Sequence, residues 1–473
     1  MKGDFTRNTF APDKHFLRVL MQQGRVQLDS DWNEQASILL HYMQTLASDL
    51  IGPYAAPAGE NAGFAISNEG SGEGDFTIGK GRYYVNGILC ENEQDISYVA
   101  QPDYPLPSNV ELGDGNYMVY LDVWERHISF VEDDDIREKA LNGVDTATRS
   151  KVIWQVKTRP LENQYAYCHQ GASVLTDNIL VVSQICMSAR VKPGQTSDDP
   201  CLTAPEAQYR GAENQLYRVE IHTGNLDEEG QVQANMPTFK FSRENGSVIF
   251  PVKGLSYDAG SKTSIVELEH LGRDNGLGIC EGNWVELVDD AAILQNRATP
   301  LLQVLEIDAI ERKVTLSGGK DSAIDINQHA LLRRWDQKKE NDIIEEGVIE
   351  ITDGWIKLED GIEVKFNTDD IEHVRSGDYW LIPARVATGE IEWPLRNDGT
   401  VNDGEGNSVP KSLPPMGIEH HYAPLAIINV DGGVLSISSD CRCSFNPLSY
   451  SCQYNYFGQL GIGTDLLCPD EGD

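Results

Sequence analysis

Larger apolar residues fall at Trp32, Ala36, Leu39, Met43, Leu46 and Leu50, a 4-3-4-3-4 spacing that draws one straight seam along a helix. Ile38, Leu40, Tyr42, Ala47 and Ile51 widen that seam into a broad face. Asp29, Ser30 and Asp31 offer N-cap side chains, Asp31 and Glu34 stand at capping-box spacing, and Gly52-Pro53 ends the helix. A helix of about twenty residues spans ~30 Å. Two destinations are open to such a face: the chain's own core, or a seam that meets copies of this chain or another subunit. About three heptads lie at the lower limit for a coiled coil, so burial in the chain's own core is the first expectation and the intermolecular seam the second.

The remaining pattern is short alternating runs bounded by turn residues, and it predicts strands. FTIGKGRYYVNGILCEN places a tight turn at Asn86-Gly87 between two of them, and GNYMVYLDVWERHISFVE at 115–132 is the longest run of the first half. Further strands are expected at 151–160, 178–191 and 215–224, and a short helix at DDIREKAL, capped by Asp134 or Asp135 and ended near Asn142-Gly143. TFKFSRENGSVIFPV predicts a hairpin, with Phe239 and Phe241 before Asn245-Gly246 and Val248, Phe250 and Val252 after it. Evenly spaced strands from 254 to 336 suggest a small barrel or sandwich, and a third set follows the charged break DQKKENDIIEEG. Between 395 and 415 the chain is rich in Gly, Asn, Asp and Pro, as an exposed insertion is.

The expected fold class is therefore mostly β: several β-sandwich or small-barrel modules after an N-terminal arm and one long amphipathic helix. The expected domains are 1–56 for arm and helix, 57–253 for a first β region, 254–345 for the barrel or sandwich, 346–440 for a third β region with its loop, and 441–473 for a Cys-rich tail. Within residues 1–28 the apolar and basic side chains, among them Phe10, Phe16, Leu20 and Arg25, follow no period that buries them, so this arm is expected to order against a surface of another subunit.

Charge narrows the partners. With 38 basic against 74 acidic residues the formal charge is −36, which argues against nucleic acid or an anionic membrane. No run of eighteen apolar residues occurs, and MKGDFTRNTF lacks the apolar stretch of a signal peptide, so the chain is expected to remain in the compartment of its synthesis unless a particle carries it out. Of nine cysteines, Cys441, Cys443, Cys452 and Cys468 crowd the last 33 residues. Their gaps do not match a usual zinc finger or ribbon, so disulfides or free thiols are expected ahead of a zinc site.

Motifs for catalysis are missing: no G-x-S-x-G, no H-E-x-x-H, no Walker A loop and no Gly-rich dinucleotide fingerprint. Glu419-His420-His421 and the acidic runs at 132–135 and 398–407 are the remaining openings for zinc or calcium. Neighbouring residues on a strand face opposite sides, however, and neither run matches the twelve-residue calcium loop. No cofactor is expected. Asn245-Gly246-Ser247 fits a glycosylation sequon but reads first as a turn.

The stretches MKGDFTRNTF, VLMQQGRVQLDSDWNEQ, GVDTATRSKVIWQVK, LYRVEIHTG, TFKFSRENGSVIFPV, GDYWLIPARVATG and GIEHHYAPLA together resemble a bacterial family encoded beside contractile phage-tail-like injection systems. The segment leading into Leu28-Asp29-Ser30-Asp31-Trp32-Asn33-Glu34 is also similar to N-terminal segments of phage tail and baseplate-associated proteins. This resemblance implies a structural, non-enzymatic particle component, baseplate-, fibre- or surface-associated. The arm and the helical seam supply the expected attachment residues, Phe10, Phe16, Leu20, Arg25, Trp32, Ala36, Leu39, Met43, Leu46 and Leu50, and the expected partners are copies of this chain through the seam, as a trimer if it is fibre-like, and other particle subunits. Two alternatives stand beside it, a carbohydrate-binding or carbohydrate-active β protein and a self-assembling filament. The discriminating feature is whether Trp124, Trp154, Trp284, Trp355, Trp380 and Trp393 are core residues or line an open cleft.

Overall fold

The computed structural model describes residues 1–68, 74–104, 106, 112–161, 168, 183, 185–192, 208–225, 236–274, 276–319, 324–338, 347–367, 373–396 and 409–446. It is mostly β, and the strands gather into two compact units. The first comprises residues 1–38, 125–151 and 177–419, the second residues 39–124, 152–176 and 420–473.

In the first unit six antiparallel strands close a barrel in the order Ile249–Asp258, Thr263–Leu268, Lys313–Ser317, Leu301–Asp308, Trp284–Val288 and Leu331–Trp335. Alternation explains it: Ser264, Val266 and Leu268 are buried while Ile265 and Glu267 face out. Inward positions meet in a core of Phe250, Val266, Leu268, Val285, Leu287, Leu302, Val304, Val314, Leu316 and Leu332. The barrel begins at Ile249, five residues before the sequence boundary at 254, because Phe250 and Val252 are barrel residues.

Beside the barrel strands the same unit holds a five-stranded sheet, ordered Ile349–Glu350, Thr238–Ser242, Gln215–Thr223, Tyr379–Arg385 and Glu390–Ile391. A three-stranded sheet of Ile356–Lys357, Ile362–Phe366 and Met187–Val191 shares its core, which holds Tyr217, Val219, Phe239, Phe241, Val364, Phe366 and Trp380. The hairpin expected around Asn245-Gly246 does not form. The turn is there, with φ of 51° and 66°, but Thr238–Ser242 pairs with Gln215–Thr223 and Ile349–Glu350, whereas Ile249–Asp258 pairs inside the barrel. Phe239 and Phe241 serve one core and Phe250 another, so packing overrides the local turn signal.

The second unit is built on a sheet of Val434–Asp440, His421–Asp431 and the greater part of Gly115–Ile128 and Arg149–Leu161, whose residues 125–128 and 149–151 belong to the first unit, a sheet of Ser444–Phe445, Tyr54–Pro57, Gly81–Val85 and Ile88–Asn92, and a small one of Ile66–Ser67, Thr77–Ile78 and Ile96–Ser97. Its core includes Phe64, Phe76, Tyr83, Leu121, Val123, Leu425 and Ile428. Asn86-Gly87 does form a two-residue hairpin turn, with φ of 45° and 77°. Glycine is needed there twice over, since a Cβ on Gly87 would stand 2.1 Å from the Gln44 carbonyl oxygen of the long helix.

The linear domain order expected from sequence is therefore replaced by interleaving. Strands expected in one region at 346–440 divide, those at 349–391 joining the first unit and His421–Asp431 the second. Likewise the expected helix at 134–141 is two 3-10 turns, Asp134–Ile136 and Lys139–Leu141, each capped by the acid before it. Of the strand expected at 178–191, Met187–Val191 is seen; residues 178–182 lie outside the described ones, as does most of the loop at 395–415.

Candidate attachment surface

The first ten residues are anchored in the first unit by buried charge. Lys2 Nζ lies 3.0 Å from Glu220, whose carboxylate also accepts from Arg218 Nε at 2.6 Å. Lys240 bridges Glu286 at 2.7 Å and Glu220 at 3.5 Å, and Trp335 Nε1 donates to Glu286 at 2.9 Å. The guanidinium of Arg218 stacks over the Tyr379 ring at 3.6 Å, and Lys240 over Trp335 at 4.4 Å. Burial pushes Lys2 down to about 8 against the pull of Glu220. Burial would raise Glu286, yet Lys240 and Lys2 hold it down to about 2.

Backbone and side chain then fix the arm's start. Asn245 Nδ2 donates to the carbonyls of Met1 at 3.2 Å and Gly3 at 2.8 Å, so the sequon asparagine is buried and spent inside the protein. Phe5 meets the His127 ring edge-on at 6.2 Å, Arg7 donates to Glu392 at 2.9 Å, and Arg385 donates to the Thr6 carbonyl at 3.1 Å. Residues 1–10 thus order against this chain, where another subunit was expected, because a buried carboxylate is available within it.

Anchoring continues into the helix, which spans Asp29–Ile51. Asp29 accepts from the Thr6 amide at 2.8 Å and from its hydroxyl, and the Thr9 hydroxyl donates to Glu34. These partners replace the expected pairing of Glu34 with Asp31. Burial opposes ionisation of Asp29, but the Thr6 hydrogen bonds hold its carboxyl below the usual range. Between the two anchorages, residues 11–28 form a loop in which the Val19 N–H donates to Gln35 Oε1 at 2.9 Å.

The exposed face of this helix is its apolar face. Trp32 is 64% exposed, Leu39 55%, Met43 67%, Leu46 46% and Leu50 73%, with Ala36 exposed between them, while the buried helix residues are Ser30 and Ile38. Core burial, the first expectation from the sequence, is therefore overturned. In the loop Phe16, Leu17, Leu20, Val26 and Leu28 are exposed as well, and Phe10 is half-buried. Arg25 is exposed like Arg18, and neither forms an ion pair with a described residue.

Other candidate sites disperse. Cys441 forms a disulfide with Cys168, a partner the sequence did not suggest because 273 residues separate them; Cys443 is an exposed free thiol, and Cys452 and Cys468 lie outside the described residues. His420 Nδ1 is 2.7 Å from Asp122, itself held by Lys157 at 2.7 Å, whereas His421 Nδ1 is 2.9 Å from Asn86. Glu132, Asp133, Asp134 and Asp135 are taken up separately by Ser129, the Asp135 amide, Arg137 and Lys139. Among the described residues no three acids, cysteines or histidines gather as a metal site would require. Trp124 and Trp380 are core residues; Trp154, Trp284 and Trp393 pack against cores from one side; Trp355 lines an open cleft.

A protein family of unknown function, DUF6519, matches residues 1–173 and 168–469. The chain belongs to that family. Its matched residues include the anchored arm, the helix with its exposed seam, the barrel and both units. No curated protein and no solved structure matches the chain.

Proposed function

We propose that this DUF6519 member is a non-catalytic structural subunit of a contractile phage-tail-like particle, and that the helix Asp29–Ile51 and the loop before it join three copies of the chain. The observation that carries this reading is the outward apolar seam, Trp32, Ala36, Leu39, Met43, Leu46 and Leu50, on a helix whose inward side is mostly polar. A surface helix ordinarily turns such a stripe to its own core; turned outward at heptad spacing, it fits a coiled-coil partner of the same sequence. Charge supports a second copy as the occupant. Residues 11–28 carry three bases against one acid, in a chain of net charge −36, so each loop finds an acidic surface on its neighbour. Assignment to a particle rests on the resemblance of the sequence stretches quoted above.

The test is the mass in solution of the full chain and of Leu39→Asp/Leu46→Asp, by analytical ultracentrifugation. The expected result is a trimer for the parent and a folded monomer for the double variant, and the parent's thermal midpoint should rise with protein concentration while the variant's should not, since only the parent gains stability from assembly. A parent that sediments as a monomer at every concentration sinks the proposal.

A further inference from the structure

A cleft of about 450 Å³ opens on the outer face of the three-stranded sheet, within the volume range of small-ligand sites. Alternation sets its chemistry. On Ile362–Phe366 the residues Ile362, Val364 and Phe366 are buried in the core, leaving Glu363 and Lys365 on the other face. On Met187–Val191 the same rule leaves Ser188 and Arg190 outward, and the register sets Lys365 opposite Ser188 and Glu363 opposite Arg190. Segment 409–413 lies along the free edge: Leu413 and Met187 exchange backbone hydrogen bonds at 2.9 Å, and the Arg396 amide donates to Val409 at 3.0 Å. That arrangement brings Arg396, Val409, Pro410 and Ser412 to the cleft rim.

Its charge runs against the rest of the chain. Arg190 gives two hydrogen bonds to Glu363, at 3.1 and 3.0 Å, and lays its guanidinium over the Trp355 ring at 4.0 Å, so both groups are held rigid. Lys365 and Arg396 are exposed, and neither forms an ion pair with a described residue. The cleft thus presents Arg190, paired with the buried Glu363, and the unpaired Lys365 and Arg396 in a protein of net charge −36, together with apolar surface from Trp355 and Val409.

We propose that this cleft binds one acidic sugar unit of a glycan. Lys365 and Arg396 take its carboxylate through charge-assisted hydrogen bonds, the apolar wall around Trp355 takes a C–H face of the ring, and Ser188 and Asn367 meet its hydroxyls. A long polyanion such as nucleic acid is disfavoured by the acidity of the remaining surface. The cleft shares no residue with the helix seam, so this binding stands or falls apart from self-assembly.

The experiment is calorimetric titration of the full chain with trigalacturonate, with maltotriose as the neutral probe and inorganic phosphate as the bare anion. Expected are saturable binding of trigalacturonate that weakens as salt rises, none of maltotriose, and weaker binding of phosphate. Lys365→Ala, Arg396→Ala and Trp355→Ala should each weaken it about tenfold, the loss that one charge-assisted or stacking contact carries, while the exposed Lys253→Ala should not. Three results overturn the proposal: no saturable binding of trigalacturonate, equal weakening by Lys253→Ala, or phosphate binding as tightly as the saccharide.

Discussion

At the scale of single residues, the cluster around Glu220 is the most consequential feature, and it is hidden in the sequence. QLYRVEIHT reads as a strand with Arg218, Glu220 and His222 on its solvent side, yet all three are buried, because barrel residues such as Glu286 and Trp335 cover that side. A period of two says which residues share a face; it does not say that both faces are covered. Removing the acid leaves Lys2, Arg218 and Lys240 buried without their shared partner. Glu220→Gln should therefore cost about 3–5 kcal/mol in urea unfolding. A pH dependence follows from the histidines of the same region. Burial, reinforced by the Met1 amine, Arg333, Arg218 and Lys2, pushes His127 down to about 3. His222 is pushed down to about 4 by burial and Lys240, with Glu286 and Glu220 pulling the other way. Both are neutral in the folded chain and would charge near their ordinary value of 6.5 once unfolded. The unfolded state thus binds more protons below about 6.5, so stability is complete above that pH and is lost as pH falls toward 4. The thermal midpoint should drop over this window, and His222→Phe should make the drop shallower; an unchanged slope would mean that the ring is not held neutral.

Among the elements, the helix was legible and its orientation was not. Heptad spacing and Gly52-Pro53 mark where it runs, since those signals are local. Which side meets the protein depends on Thr6, Thr9 and Gly87, whose contacts with Asp29, Glu34 and the backbone at Gln44 come from distant parts of the chain. The turn at Asn245-Gly246 teaches the converse: a correct turn does not make a hairpin when the segments on either side enter different cores. Disulfide pairing lies further out of reach, because spacing within the tail says nothing about Cys168. That bond closes 273 residues, so reducing it, or Cys441→Ser, should lower the urea-unfolding free energy by about 2–4 kcal/mol. Equal stability with and without reductant would count against the pairing.

Taken as a whole, the molecule is β-rich as its alternation implies, and of the two forms that alternation leaves open at 254–336, barrel or sandwich, the closed barrel is found; the division into units is not legible, because each unit draws on segments far apart in the chain. The basic cleft was missed for the same reason. Arg190, Lys365 and Arg396 carry no shared motif, and only strand register puts them together; the one sign in the sequence was Trp355, singled out with five other tryptophans. A prediction at this scale separates fold from assembly. Deleting residues 1–10 removes Lys2 from its buried carboxylate and should cost several kcal/mol of stability, on the order of 3–5 for a broken buried pair. Phe16→Ser/Leu17→Ser/Leu20→Ser changes side chains exposed on the single chain, so it should leave the unfolding midpoint of the dissociated chain alone while weakening self-association in ultracentrifugation. If the two variants behave alike, docking and folding are not separable in this arm.

Residues 11–28 are closed into a loop: before them Lys2 holds the arm to the Glu220 cluster and Thr6 and Thr9 hold it to the helix start, after them the chain enters the helix at Asp29, and between them Val19 donates to Gln35. A free tail would surrender most of its chain freedom on meeting a neighbour, whereas a closed loop has surrendered part of it beforehand. The same fastening has a mechanical side. Force applied to the loop divides between two roots in one folded unit, and neither can be peeled away residue by residue as an open end can. A partner gripping this segment would be holding a handle rather than a string.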